Sequence, residues 1–236
     1  MTTGLLQANE LAKSFGGVAA VRGVSLRVDP GDLRCIIGPN GAGKSTVFNM
    51  LAGSIRPTSG DILFQGRSIV GRAIQEFARL GIARKFQVPS LFGSLTVREN
   101  LDVAMQRGPQ GRERGERIDR ALEMLELVDR QDMRAGDLAH GQKQWLEIGM
   151  ALMTQPRLLL LDEPTAGMGP EETQRTARLL LGLKGQTIIV IEHDMNFVRA
   201  LACPTLVMHQ GKIIAEGGFE EIERSELVRD VYLGRQ

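Results

Sequence analysis

Gly38, Gly43, Lys44 and Ser45 stand at the spacing G-x-x-x-x-G-K-[ST] within Gly38-Pro39-Asn40-Gly41-Ala42-Gly43-Lys44-Ser45-Thr46. That spacing suits phosphate chemistry. Glycines let the backbone curl until successive N–H groups face one anion. A helix that begins near Lys44 adds its positive end. Lys44 would reach the β- and γ-phosphates of a nucleotide, and the Ser45 hydroxyl would ligate Mg²⁺. The plainer alternative is a glycine-rich turn with a surface lysine. The flanks disfavour it: the apolar run Leu33 to Ile37, broken only by Arg34, precedes the loop, and Val47, Met50 and Leu51 follow at helical spacing up to Gly53. Thr46 stands where the third glycine of a dinucleotide fingerprint would be required, so that reading is set aside.

A second group of candidate residues closes the run Leu158-Leu159-Leu160-Leu161-Asp162-Glu163-Pro164. In phosphate-loop proteins a strand beside the loop supplies an Asp that holds Mg²⁺, and Asp162 fits that role. Glu163, one residue further, is placed to take a proton from an attacking water. Alone, the pattern is also that of a strand ending in a polar turn. His193 follows the β-branched run Thr187 to Ile191 within Glu192-His193-Asp194. At the carboxyl end of a parallel strand it would face the ligand crevice, where a structural histidine is the alternative.

The elements that must position these residues follow from the chain pattern. Leu5 to Val28 is β-rich, with Val24, Leu26 and Val28 alternating with polar residues, and Asp29-Pro30-Gly31-Asp32 is a turn. Asp61 to Phe64 is a short strand, Ala73 to Leu80 a helix ended by Gly81, and Ile82 to Phe86 a strand. Val97 to Met105 and Arg117 to Val128 have helical spacing. Gly108 to Gly115 between them is an expected exposed loop, with Arg112 and Arg114 on a solvated surface. After Pro156 the α/β alternation returns, with a strand at Arg157 to Asp162 and a helix from Pro170 to Leu181. Thr187 to Ile191 suits a parallel strand buried on both faces. Thr205 to His209 and Lys212 to Ala215 form a hairpin, and Glu220 to Leu233 is helical.

Composition narrows the classes. The chain has 236 residues, 42% hydrophobic and 24% charged, as expected of a globular protein with a substantial core. Net charge is +1 and aromatics are 4%, which argues against a nucleic-acid partner. The two cysteines, Cys35 and Cys203, read as reduced structural thiols of a cytosolic protein, and no CxxC spacing occurs. The longest apolar runs, such as Leu158 to Leu161, fall far short of the roughly 20 residues a membrane span needs. Met1 to Glu10 lacks the basic and apolar blocks of a signal peptide.

With these motifs in order, the chain from Leu5 to Leu233 resembles the nucleotide-binding subunit of an ATP-binding cassette (ABC) transporter. The resemblance implies an α/β fold: a phosphate-loop NTPase core with an N-terminal antiparallel β-subdomain and a helical subdomain insert. It makes residues 1–236 one nucleotide-binding domain, with 1–87 and 156–236 as core and β-subdomain and 88–155 as the helical part. Phe15 becomes the adenine-stacking aromatic, where by itself it reads equally as core. Gly38 to Thr46 is Walker A, Leu158 to Glu163 is Walker B, and His193 is the switch histidine. Gln87, otherwise an ordinary amide, becomes the Q-loop residue and joins Ser45 and Asp162 about the Mg²⁺. Leu138-Ala139-His140-Gly141-Gln142 stands for the LSGGQ signature.

Two such subunits would sandwich two ATP molecules head to tail, each between one subunit's phosphate loop and the other's signature loop. Glu163 would polarise the attacking water, and Gln87 and His193 would sense the γ-phosphate and Mg²⁺. Closure on ATP would drive two transmembrane permease subunits, with a substrate-binding protein acting through them. The subunit would sit peripherally on the cytoplasmic side of the inner (plasma) membrane.

The signature departs from the pattern: Ala139 replaces the serine and His140 the first glycine. The missing hydroxyl would forgo a charge-assisted hydrogen bond of about 1.5–3 kcal/mol to the partner's ATP. His140 could replace it as a donor or point to solvent. Gly169 stands where the family often has an aspartate that contacts the partner.

Lys13-Ser14-Phe15-Gly16-Gly17, Glu192-His193-Asp194-Met195 and the ending Val231-Tyr232-Leu233-Gly234 resemble importer ATPases of the branched-chain amino acid and urea type. Residues 140–150, with Trp145 read as a packing residue, are most similar to the urea importer, which makes urea or short-chain amides the expected cargo and branched-chain amino acids the alternative. These importers pair two different ATPase subunits, so a heterodimer is expected in the cell and a homodimer in isolation. A soluble ABC ATPase of DNA repair or translation would carry tandem cassettes or a long coiled coil. A catalytically weak subunit is at odds with Lys44 and Glu163.

Overall fold

The computed structural model describes residues 4–85, 91–105 and 109–233. Its strands form two sheets. The first is antiparallel and holds β1 (Leu6–Phe15), β2 (Val18–Val28), β4 (Ser59–Phe64) and β5 (Arg67–Ser68) in the order β2-β1-β4-β5. The second holds β3 (Leu33–Ile37), β6 (Ile82–Arg84), β7 (Leu158–Asp162), β8 (Thr187–Ile191), β9 (Thr205–His209) and β10 (Lys212–Gly217), in the order β10-β9-β3-β8-β7-β6. It is parallel except for the edge hairpin β9–β10.

Every residue of β7 and β8 is buried, as continuous apolar runs in a parallel sheet require. The period of two divides their side chains between two layers. Ile36, Leu158, Leu160, Ile189 and Ile191 face α1 (Lys44–Leu51), which is itself covered by the antiparallel sheet. Ile37, Leu159, Leu161, Ile188 and Val190 face the other way. There they meet α6 (Pro170–Gly182), α7 (Met195–Leu201), α8 (Phe219–Arg224) and α9 (Glu226–Leu233). Arg34 interrupts the apolar run of β3 by reaching the sheet edge, where it pairs with Asp32 and with Glu216 of β10 at 2.7 Å. Cys35 and Cys203 are buried free thiols whose sulfurs lie 3.3 Å apart. The long C-terminal helix expected from Glu220 is two helices broken at Ser225, whose backbone is extended.

A separate apolar cluster joins α3 (Val97–Ala104), α4 (Arg112–Met124) and α5 (His140–Met153), with Leu101, Leu122, Trp145 and Leu146 at its centre. Thr96 and Glu99 close a reciprocal capping box at the start of α3. The structure moves α4 five residues earlier than its periodicity suggests, so part of the expected loop is helix. Gly115 and a dense run of charges mask the helix in the sequence. Pairs at i,i+4 support it, Arg112 with Glu116 and Glu113 with Arg117. Arg114 is not simply solvated: it pairs with Asp102 and donates to the carbonyls of Asp102 at 2.6 Å and Met105 at 3.0 Å. It thereby caps α3.

Candidate functional site

Residues 38–43 link the carboxyl end of β3 to α1. Two of the glycines are required by the backbone. A Cβ on Gly38 would collide with the Met208 carbonyl oxygen, and one on Gly43 with that of Ala20. Gly43 also takes φ 99° as the residue before the helix. Ala42 is buried beneath the loop, while Asn40, Gly41 and Ser45 are exposed, with Pro39 and Thr46 half-buried. The first turn of α1 has neither a side-chain cap nor an acidic residue. Its N–H groups therefore remain open to an anion.

Lys44 is buried inside the loop, with Nζ donating to the carbonyls of Gly38 at 2.6 Å and Pro39 at 3.1 Å. Burial pushes its pKa down, and the carboxylates of Glu163, Asp162 and Glu192 oppose that shift. The same arrangement loads Asp162. Burial and the neighbouring Glu163 raise its carboxyl, against the pull of Arg84, Lys85 and Lys44. Asp162 Oδ1 is buried with no hydrogen-bond partner. A buried, unpaired carboxylate oxygen is costly unless a cation meets it.

Asp162 pairs in register with Ile191, so the ends of β7 and β8 lie side by side. Glu163 leaves β7 with φ 45°, a left-handed conformation costing roughly 1–3 kcal/mol for a residue with a side chain. Its amide donates to the Ile191 carbonyl at 2.9 Å. His193 leaves β8 and sets Nδ1 3.3 Å from Glu163 Oε1, with the imidazole largely exposed. The expected position at the strand end is therefore where the histidine lies, and it faces the candidate base.

Glu192, between them, is the residue that sequence reasoning passed over. It is fully buried. One carboxylate oxygen accepts from the Thr165 amide at 3.1 Å and hydroxyl at 2.6 Å, and the other from the His193 amide at 3.0 Å. It fastens the turn after Glu163 to the loop that carries His193. The signal was present as an acid closing an apolar strand, but its role depends on Thr165, which lies elsewhere in the chain.

Ala139 precedes α5 and offers no side-chain oxygen; its amide donates to Gln142 Oε1 at 3.1 Å. His140, expected either as a donor towards the partner's ATP or as a side chain facing solvent, is exposed. Its Nε2 meets the Ala166 carbonyl oxygen at 2.9 Å. Gly141 presses against the Glu172 carboxylate. Among the described residues, no hydrogen bond or ion pair joins 139–142 to 38–46. Gly169 precedes α6 and its amide donates to Glu172. Trp145 packs as expected: it is buried, donates to Thr176 Oγ1 at 2.9 Å, and lies 3.9 Å beneath the Arg175 guanidinium.

Phe15 ends β1 with 47% of its surface exposed, which removes the core alternative. Lys13 Nζ sits 5.1 Å from its ring. Gln87 lies outside the described residues. Among the described residues no helix is long and apolar enough to cross a membrane.

Comparison with known proteins adds to this geometry. Residues 21–166 match the family model described as ABC transporter. The high-affinity branched-chain amino acid transport ATP-binding protein LivG of Escherichia coli K12 is 40% identical over a 253-position alignment covering 99% of each chain. Its counterpart BraF of Pseudomonas aeruginosa is 38% identical, again over 99% of both. Among solved structures, an ABC transporter cassette in its ADP conformation superposes with a TM-score of 0.86 at 33% identity, covering 99% of this chain and 100% of that one. A dimeric cassette in a post-hydrolysis state, bound to ADP and phosphate, gives 0.78 at 26% identity over 91% and 98%.

Proposed function

Because this chain belongs to the ABC transporter family, we propose that it is the ATP-hydrolysing motor of an importer for branched-chain amino acids. It is an ATPase with the fold of that family. The observation that carries the reading is the convergence of Lys44, Asp162, Glu163 and His193 at the carboxyl ends of neighbouring strands.

The phosphates of ATP rest against the N–H groups that open α1, and Phe15 stacks on the adenine. Lys44 exchanges the Gly38 and Pro39 carbonyls for the β- and γ-phosphates. The donor set suits a divalent cation, because Asp162 Oδ1 is buried without a partner and the Ser45 hydroxyl is at the exposed start of α1. Mg²⁺, held by Ser45 and Asp162 with Gln87, supplies positive charge against the phosphate oxygens when bound. Glu163 orients and deprotonates the attacking water at its carboxylate, and His193 holds that carboxylate by its Nδ1. Burial of Lys44 and Asp162 strengthens each charge interaction relative to water.

The site is composite in this reading. Ala139, His140, Gly141 and Gln142 of one subunit cover the ATP held by the other, an arrangement supported by the dimeric relative. In the cell the partner is a second, different ATPase subunit, with a homodimer forming in isolation. Two permease subunits and, through them, a substrate-binding protein complete the importer on the cytoplasmic side of the plasma membrane. Residues 140–150 carry the urea-type resemblance, but both relatives described above are named for branched-chain amino acids, and the cargo assignment follows them.

Uptake of labelled leucine and labelled urea, in cells with and without this gene, tests the cargo. Loss of leucine uptake alone is expected. Loss of urea uptake with leucine uptake intact would overturn the assignment and restore the urea reading.

A further inference from the structure

We propose that His140 couples the two ATP sites of the dimer, by fastening the signature loop that serves one ATP to the turn that carries Glu163 at the other. The inference rests on the composite-site reading and adds to it a residue-level link within one chain.

The link is geometric. His140 is the first residue of α5, and its Nε2 lies 2.9 Å from the Ala166 carbonyl oxygen. A carbonyl only accepts, so the proton of this bond sits on Nε2. The imidazole also lies close against Gly167, where a Cβ would come within 3.2 Å of Nε2 and 3.4 Å of Cδ2. Gly167 has φ 75°, so no ordinary side chain is favoured there to separate the two loops.

Ala166 belongs to the turn that begins at the candidate base: its amide donates to the Glu163 carbonyl at 3.1 Å. That turn starts from the left-handed conformation of Glu163, which persists only if its surroundings hold it. Two side chains do so. Glu192 binds Thr165 from the buried side. His140 binds Ala166 from the exposed side.

The register of α5 against α6 places His140 where it can act. Gly141 sits against Glu172, and Trp145 donates to Thr176 one turn further along. A shift of residues 139–142 against a nucleotide therefore pulls on Ala166 and through it on Glu163. A glycine at position 140 could form no such side-chain bond. The loss of the serine hydroxyl at Ala139 and the gain of an imidazole at His140 thus change what the loop does, from gripping a phosphate to positioning a base. His140 is a positioning residue and does not touch the reacting atoms.

The test uses the assembled transporter and follows ATP hydrolysis against ATP concentration for the wild type, His140→Phe and His140→Gln. Phe keeps a ring and removes the donor; Gln returns an N–H near the position of Nε2. His140→Phe is expected to lower kcat about 3–10-fold, the effect of one hydrogen bond, with KM for ATP within about twofold. Its Hill coefficient is expected to fall towards one, and His140→Gln to recover most of the loss. A raised KM at unchanged kcat would overturn the proposal, because His140 would then contribute to nucleotide affinity and not to the placement of Glu163. Wild-type kinetics in His140→Phe, or Gln as slow as Phe, would also overturn it.

The composite-site reading has its own readout, ATP-dependent cross-linking of Ala139→Cys to the partner subunit. No cross-link would sink that reading and this inference together. A cross-link combined with unaltered His140→Phe kinetics would sink the inference alone.

Discussion

Glu163 and His193 meet across the ends of two adjacent parallel strands, Oε1 to Nδ1 at 3.3 Å. Neither residue owes its position to the other. Glu163 is set by the Asp162–Ile191 register and by its own amide bond to Ile191, and His193 by the buried Glu192 beneath it. A general base contributes about 10²–10⁴-fold to such a reaction. Glu163→Gln should therefore lower ATP turnover by at least about 100-fold while ATP still binds. Phosphate release and nucleotide titration on one preparation check this. Wild-type turnover in the variant would remove Glu163 as the base.

Lys44 is held in the loop by two carbonyls, and those are weaker partners for an ammonium than phosphate oxygens. Lys44→Ala should weaken ATP binding by about 10–100-fold, the range for losing a charge-assisted bond. Adenosine, which has no phosphates, should bind the variant and the wild type alike. Titration of both ligands into both proteins decides the matter, and unchanged ATP affinity would take Lys44 out of the phosphate site.

These parts of the site were legible because their physics is local. A phosphate loop needs glycines at fixed offsets, and a parallel strand buried on both faces reads as an unbroken apolar run, as β7 and β8 do. What the sequence hid depends on distant partners. Glu192 acquires its role from Thr165, Arg114 from the end of α3, and His140 from Ala166. None of these pairs leaves a periodic trace. The start of α4 was hidden for a related reason: its first residues are polar and interrupted by Gly115, and side-chain pairs rather than an apolar stripe sustain them. Phe15 was undecided because an aromatic on a strand can face either way, and only its exposure settles which.

Asp162 gives a pH-dependent prediction whose sign follows from its burial. Its carboxyl is raised in the folded protein, so the folded state holds the proton more tightly than the unfolded chain. Stability then falls as pH rises through the interval between the unfolded and folded values, and the cost is fully present at neutral pH. Asp162→Asn should accordingly raise the Tm of the nucleotide-free protein at pH 7 above that of the wild type. The difference should shrink towards pH 3, where both forms are neutral. Thermal melts at the two pH values, without nucleotide or Mg²⁺, test this. A lower Tm for the variant at pH 7 would show that the carboxylate is paired.

Trp145 and Thr176 bind the helical cluster to the sheet-packed α6, through one buried bond of 2.9 Å. The Thr176 hydroxyl donates in turn to the Glu172 carbonyl at 2.8 Å, so it retains a partner if the indole is removed. Trp145→Phe keeps most of the apolar surface and deletes only the indole donor and part of the face beneath Arg175. The expected cost is about 1–2 kcal/mol, from the lost bond and the reduced cation–π contact. Thr176→Val should cost a similar amount, because it deletes the same bond and the one to Glu172. If the two residues act through each other, the double variant should be less destabilised than the sum, by at least about 0.5 kcal/mol. Urea unfolding of the four proteins, fitted for stability and slope, measures that coupling. Strict additivity would mean that the helical cluster and α6 are joined by apolar packing rather than by this bond.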